Sequence, residues 1–400
     1  MVKVFGLLLA VFFIYTLTFD IFLSNFFRIP TPLLSCIPLI IFFRIKNMQF
    51  LYGKEMAFFI ASAFLYYFIG VDNIVAFSVN SFIFVTTALY FNYFVGTDSR
   101  RFNISVSLFF VLLTISTVIM LLNQFMGSDI VAIRALLIDN EIRQSPSGLS
   151  ATIFGFGYQL AALVTFLLIY CFVKRKNVWI IAAVFILGLV SIYFGLQRSV
   201  LVAFLSSGLM FVVLYYKSRS AVILGVAFAF GLLLYNYALE SQKLGTDNIL
   251  AKSDRDGGTE SRDGMVAGNL EIITDYPYGL IFYGKDWTEV TIGNPVFPNG
   301  LTSHNAYLMY ITYLGPFLGI GLLFLLHKSI IEAFRYAMRN INQADVSLLI
   351  CLLFAFISIC INAMFHNASI ITANGPTVFL FFSVLHLRTL IKMNDSTLYT

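Results

Sequence analysis

Asp254-Arg255-Asp256-Gly257-Gly258-Thr259-Glu260-Ser261-Arg262-Asp263 lies within Glu240–Asn305, the one long polar stretch of a chain that otherwise runs through Phe, Leu, Ile and Val. Asp275-Tyr276-Pro277-Tyr278-Gly279 follows it, and Ser303-His304-Asn305 closes the stretch. This contrast decides the fold. Elsewhere apolar runs of about 17 to 25 residues recur, the length a helix needs to cross the hydrocarbon of a bilayer. The 400 residues are 59% hydrophobic and 11% charged, with a mean hydropathy of +0.87. A soluble domain carries roughly 25% charged residues. The chain therefore reads as an all-α polytopic membrane protein.

About twelve transmembrane helices are expected, near 4–19, 31–43, 55–71, 74–95, 104–122, 151–173, 178–195, 200–216, 221–239, 306–326, 346–364 and 370–387. They form a single integral membrane domain over 1–400, with 240–305 as a large loop between helices nine and ten and 123–150 as a second between five and six. Met1-Val2-Lys3 before an apolar run resembles a signal peptide; without a small-residue cleavage site it reads as an uncleaved first helix. Cys36, Cys171, Cys351 and Cys360 all fall inside apolar runs, as small buried hydrophobes rather than disulfides or metal ligands.

Orientation follows from where Lys and Arg fall. With the N-terminus inside, the inner connections hold 16 of the 25 basic residues and 5 of the 20 acidic ones, a balance of +11, and the outer connections carry −6. Both long loops then face outward and both termini inward. A net charge of +5 distributed in this way is a membrane signature, not a nucleic-acid one. The interiors of the spans hold no Asp, Glu, Lys or Arg, which argues against a proton- or ion-coupled transporter. The polar chemistry lies instead at the outer boundary, where the head of a lipid-linked substrate would sit.

Three places there carry candidate chemistry. Arg198, in Gly195-Leu196-Gln197-Arg198-Ser199, occupies a short outer turn and suits a phosphate, although an arginine in that position also snorkels to headgroups. Arg262 precedes an amphipathic run from Met265 to Ile273, which Ser261 or Thr259 would cap, giving one anion-binding end. Arg255 competes with it, and Glu260 and Asp263 flank it as substrate contacts or alternative bases. His304-Asn305 opens a span, placing a histidine where it can serve as a general base toward a hydroxyl and Asn305 where it can contact the substrate, or the pair can simply cap the helix. Arg143, in the other outer loop with Arg134, is a further phosphate candidate or an interfacial charge. His366-Asn367 reads as structural, facing the same cavity at most. Gly315-Pro316 and Gly375-Pro376 are expected to kink their spans. The sequence holds no phosphate-binding glycine loop, dinucleotide fingerprint or zinc-protease motif, and no metal-ligand cluster.

Taken in order, these signals resemble the O-antigen polymerase and O-antigen ligase superfamily, the Wzy-type polymerases and WaaL-type ligases. The residues that carry the likeness are Gln197-Arg198-Ser199-Val200-Leu201, then Arg262 through Pro277-Tyr278-Gly279. His304-Asn305-Ala306-Tyr307-Leu308 and Gly315-Pro316-Phe317-Leu318-Gly319 complete it. The resemblance covers residues 150 to 330 by motif. It implies a glycosyltransferase of the GT-C type that needs no metal and no cofactor. The donor would be an undecaprenyl-diphosphate-linked oligosaccharide, and the site would face the periplasm from the bacterial inner membrane. Arg198 and Arg262 would bind the diphosphate, and His304 would serve the acceptor hydroxyl. A polymerase would pass the growing glycan to a new lipid-linked repeat unit, with membrane lipid, a chain-length regulator and a flippase as companions. A ligase would pass it to lipid A–core. A flippase, the reading from another class, would need polar groups inside the bundle. The long loop is read as a lid over a lipid-facing cleft.

Overall fold

A computed structural model describes residues 2–23, 31–45, 49–221, 225 and 262–397. Among these the chain is helical, with no strand. The first helices are α1 (Val2–Thr18), α2 (Thr31–Phe43) and α3 (Gly53–Ala63), which continues as a wider π-turn through Phe64–Gly70. α4 (Ile74–Leu89) continues likewise through Tyr90–Val95 and is followed by α5 (Ser99–Met126) and the short α6 (Ser128–Ile138). α7 (Ile153–Val173), α8 (Val178–Phe194) and α9 (Arg198–Tyr216) complete the first part. After 262 come α10 (Arg262–Asp275), α11 (Trp287–Thr291), α12 (Ala306–Leu314), α13 (Pro316–Arg339), α14 (Ser347–Ala363) and α15 (Gly375–Thr397).

Among the described residues seven helical segments are long and apolar enough to cross a membrane: 74–95, 99–124, 153–173, 198–219, 316–339, 344–363 and 375–393. Three shorter apolar helices, Val4–Thr18, Thr31–Phe43 and Val178–Phe194, accompany them. The protein is thus a helical, multi-pass membrane protein. The ninth expected span, 221–239, lies almost wholly outside the described residues, as do Arg255 and Glu260.

α14 is the axis of the bundle, packed against α7, α9, α13 and α15. Its residues from Leu349 to Phe356 are all buried, as is most of α7, which is why both read as apolar on every side. The outermost helices reverse the soluble rule. Phe42 on α2, Trp179 on α8 and Phe317 on α13 are 69%, 78% and 86% exposed, an outward apolar surface of the kind that meets lipid. Buried hydroxyls and amides tie neighbouring helices. Ser116 Oγ donates to Gln159 Oε1 at 2.6 Å, joining α5 to α7, and Thr165 Oγ1 donates to Ser358 Oγ at 2.9 Å, joining α7 to α14. At the basic end of the bundle His386 bridges Gly96 and Tyr52. Its Nε2 lies 2.6 Å from Gly96 O, a pure acceptor, so Nε2 carries the proton and Nδ1 accepts from Tyr52 Oη at 2.5 Å.

Two breaks differ from the sequence reading. The expected span 306–326 is two helices: α12 stops at Leu314, and α13 runs from Pro316 thirteen residues beyond the expected end, to Arg339. Its charged turn survives because Arg388 Nη2 pairs with Glu332 at 3.1 Å and Ser329 Oγ donates to Glu55 Oε1 at 2.5 Å. Gly375-Pro376 opens α15 rather than kinking it. Proline there costs nothing, since the first turn of a helix has no backbone acceptor for its missing N–H.

The described part of the long loop folds onto α12. Met265 and Ile272 of α10 join Leu280, Trp287, Phe297, Met309 and Tyr313 in a small second core. Thr312 Oγ1 donates to Asn269 Oδ1 at 2.5 Å, and Trp287 Nε1 to Leu301 O at 3.1 Å. The run at 265–273 is thus a docked helix, but not the amphipathic one expected: Met265, Asn269 and Ile272 are buried, whereas Val266 and Leu270 are exposed. Its far end, at Pro277-Tyr278-Gly279, meets the α12–α13 break, where Gly279 and Gly315 stand backbone to backbone.

Candidate functional site

α9 begins at Arg198, with Gln197 as its N-cap residue. The turn before it is tight: Leu196 adopts a left-handed φ of +54°, and Gln197 N donates to Ile192 O at 3.2 Å. Gln197 is buried and donates through Nε2 to Ile153 O at 2.7 Å, which fixes the turn to the start of α7. Arg198 is half-buried. It stands in the first turn of α9, beside backbone N–H groups that have no acceptor within their own helix.

α12 starts in the same manner. His304 has φ +51°, and Asn305 is the N-cap, its Oδ1 accepting from Leu308 N at 3.0 Å. A left-handed non-glycine residue costs of the order of 1 kcal/mol, and such residues gather where a site is held in shape. Asn305, expected as a substrate contact, therefore has a capping role as well.

His366, in the connection between α14 and α15, joins the two helix starts. Its Nε2 lies 2.7 Å from Ser199 Oγ, the residue after Arg198. Its carbonyl accepts from Ala306 N, two residues past His304, at 2.8 Å. Its ring packs at 5.0 Å from Phe154, which lies 6.4 Å from the His304 ring at an interplanar angle of 29°. Ser199 and His366 are buried, whereas His304 is half-buried. The starts of α9 and α12, which carry Arg198 and His304, are thus both tied to His366, through Ser199 and Ala306.

Unpaired polar atoms collect nearby. Asn362, four residues before His366, has both amide atoms buried and without a hydrogen-bond partner among the described residues, and so has Ser303 Oγ, next to His304. Each such group costs about 1–3 kcal/mol. Gly157 of α7 faces the same corner: a Cβ there would stand 2.7 Å from Gln197 Oε1 and 3.6 Å from Asn362 Nδ2.

The other expected residues are placed less centrally. Arg262 is the first residue of α10. Asp263 beside it is exposed. Arg255 and Glu260 lie outside the described residues. Arg143 is exposed and tied by its backbone N–H to Ala151 O at 2.8 Å, three residues before Phe154. The fixed guanidinium between α5 and α7 is Arg134, which is fully buried. It donates through Nε to Gly148 O at 2.6 Å, through Nη1 to Asn123 Oδ1 and Ser145 Oγ, both at 3.1 Å, and through Nη2 to Ser147 Oγ. Burial lowers its pKa to about 10, so it remains a cation at neutral pH. Nothing in the sequence separates Arg134 from Arg143, because its partners are a carbonyl and small polar side chains 11 to 14 residues away. The role of His366 has a partial signal: with His304 it is one of two histidines assigned to the outer face.

A cleft of about 540 Å³ opens at the α12–α13 break, lined by Pro277, Tyr278, Phe282, Tyr283, Gly315 and Phe317 among others, and its wall is mostly apolar. Among the described residues no group of three His, Cys, Asp or Glu side chains is placed to hold a metal ion. Neither a family model nor a curated protein matches the chain.

Proposed function

We propose that the chain is a glycosyltransferase of surface-polysaccharide assembly. It acts as an O-antigen-type polymerase that moves a growing glycan from undecaprenyl diphosphate to a new lipid-linked repeat unit. The observation that carries this reading is that the start of α9, at Arg198, and the start of α12, after His304, are joined through His366, which bonds Ser199 and Ala306. The resemblance at Gln197–Leu201, Arg262–Gly279 and His304–Gly319 supplies the reaction. On this reading the bundle has about twelve spans of GT-C type, with the site on the periplasmic face of a bacterial inner membrane.

The chemistry needs two things. The acceptor hydroxyl attacks the anomeric carbon of the donor, a C–O bond forms, and the C–O bond to the diphosphate breaks. His304 takes the hydroxyl proton, while undecaprenyl diphosphate leaves with the bonding electron pair. Charge grows on the departing oxygen, and a guanidinium in the first turn of a helix is suited to stabilise it. Arg198 has that position, with Arg262 as the second cation. The apolar cleft beside Gly315 is of a size and polarity to take part of an isoprenoid chain.

Deleting the gene and resolving the surface polysaccharide on a gel tests the reading. A loss of long chains that leaves single repeat units on the lipid is the expected result. Core without any repeat, together with accumulated lipid-linked polymer, would assign the ligase reaction instead. Unchanged length and export would overturn both.

A further inference from the structure

His366 lies outside the chemistry just described, yet it is bonded to both helix starts of the site. One side chain bonds the helix that carries Arg198, through Ser199 Oγ at 2.7 Å. The same residue's carbonyl holds the first N–H of the helix that follows His304, through Ala306 at 2.8 Å. Its ring shares Phe154 with His304 and also lies 6.2 Å from Tyr158, whose Oη donates to Ala368 O at 2.5 Å. The connection that bears His366 is thus pinned on both sides. Both Ser199 and His366 are more than nine-tenths buried, so the bond between them is shielded from competing water.

We propose that His366 is the positioning residue of the transfer reaction, setting Arg198 through Ser199 and His304 through Ala306 so that cation and base face the same substrate. The proposal rests on the glycosyltransferase reading. Its physical basis is that misplacing a reacting group by about 1 Å costs of the order of 100-fold in rate. Two helix starts on separate elements hold such a register only if something spans them.

The test uses the full chain in lipid nanodiscs. The donor is the lipid-linked glycan that accumulates in a strain lacking the gene. Ser199→Ala and His366→Ala are each expected to lower kcat by about 100-fold, and the double variant to be no worse than His366→Ala, because the bond that Ser199→Ala removes is already gone there. His366→Gln, whose amide reaches the position of the ring Nε2, should recover about a tenth or more of the activity. The midpoint of its acid limb should be unmoved. Hydrogen exchange over 197–203 and 303–309 should quicken in Ser199→Ala and His366→Ala and stay slow in His366→Gln. Additive losses in the double variant would overturn the proposal. So would an inactive His366→Gln that has lost its acid limb, which would make His366 the proton acceptor itself. If the unaltered chain transfers no glycan, the function proposed above fails, and the exchange comparison alone decides whether His366 couples the two helix starts.

Discussion

Gly279 and Gly315 meet backbone to backbone. A Cβ on Gly279 would stand 2.2 Å from Gly315 N, and one on Gly315 would stand 2.3 Å from Tyr278 O. Both residues are in the positive-φ region, at +97° and +78°. The contact seats the end of α10 in the break between α12 and α13, and so fixes the helix that begins at Arg262 to the one that begins after His304.

Gly279→Ala and Gly315→Ala should therefore each destabilise the protein, by of the order of 3 kcal/mol, from left-handed strain together with overlap against backbone that cannot swing aside. Thermal unfolding in a mild detergent checks this. Midpoints unchanged within about a degree would mean that the two segments do not pack in this way.

Arg134 is a structural cation. Replacing it with Met leaves Gly148 O, Asn123 Oδ1, Ser145 Oγ and Ser147 Oγ without their shared donor. The expected loss is about 2–4 kcal/mol, with faster proteolysis of the 139–150 segment. Lys in its place should restore little, since a point charge cannot reproduce a planar fork of donors. Arg143→Met should be nearly neutral for stability. Equal effects at the two positions would contradict the assignment.

The apolar helices were legible because continuous runs of apolar residues mark them, and α2, α4 with its π-turn, α7, α8 and α14 fall within two residues of where those runs place them, although α2 and α8 are shorter than the seven candidate spans. The ends of α13 were not, because a hydropathy window stops at Lys328, Glu332 and Arg335, whereas a helix past the membrane surface continues through them. The helix starts at Arg198 and after His304 were legible, because a short polar turn between apolar runs marks each of them in the sequence. The His366–Ser199 bond spans 167 positions and appears only in three dimensions. That Arg134, and not Arg143, is the buried guanidinium was hidden for a related reason. Burial of a charge depends on which backbone carbonyls fold around it, and composition is silent on that.

Asp20 gives a pH signature. It lies just past α1 at φ +55°, and its carboxylate accepts from Gly375 N at 2.7 Å and Asn374 Nδ2 at 2.9 Å, holding the start of α15 against the end of α1. Burial pushes its pKa from the ordinary 3.8 to about 7, against the opposing pull of the Gly375 N–H. Between those two values the native state keeps a proton that the unfolded chain has lost, so this group's contribution to stability falls as pH rises through the window. The unfolding midpoint should drop between pH 5 and pH 8, and the drop should shrink in Asp20→Asn. Identical slopes in the two proteins would place the titration elsewhere.

The central claim is that Arg198 and His304 form one reaction site. Glycan transfer by the purified chain in nanodiscs, with the accumulated lipid-linked glycan as donor and acceptor, tests it most directly. Arg198→Ala and His304→Ala should each lose about 100-fold or more in rate, while their unfolding midpoints stay close to that of the unaltered protein. Polymer formed at an undiminished rate by either variant would contradict the account.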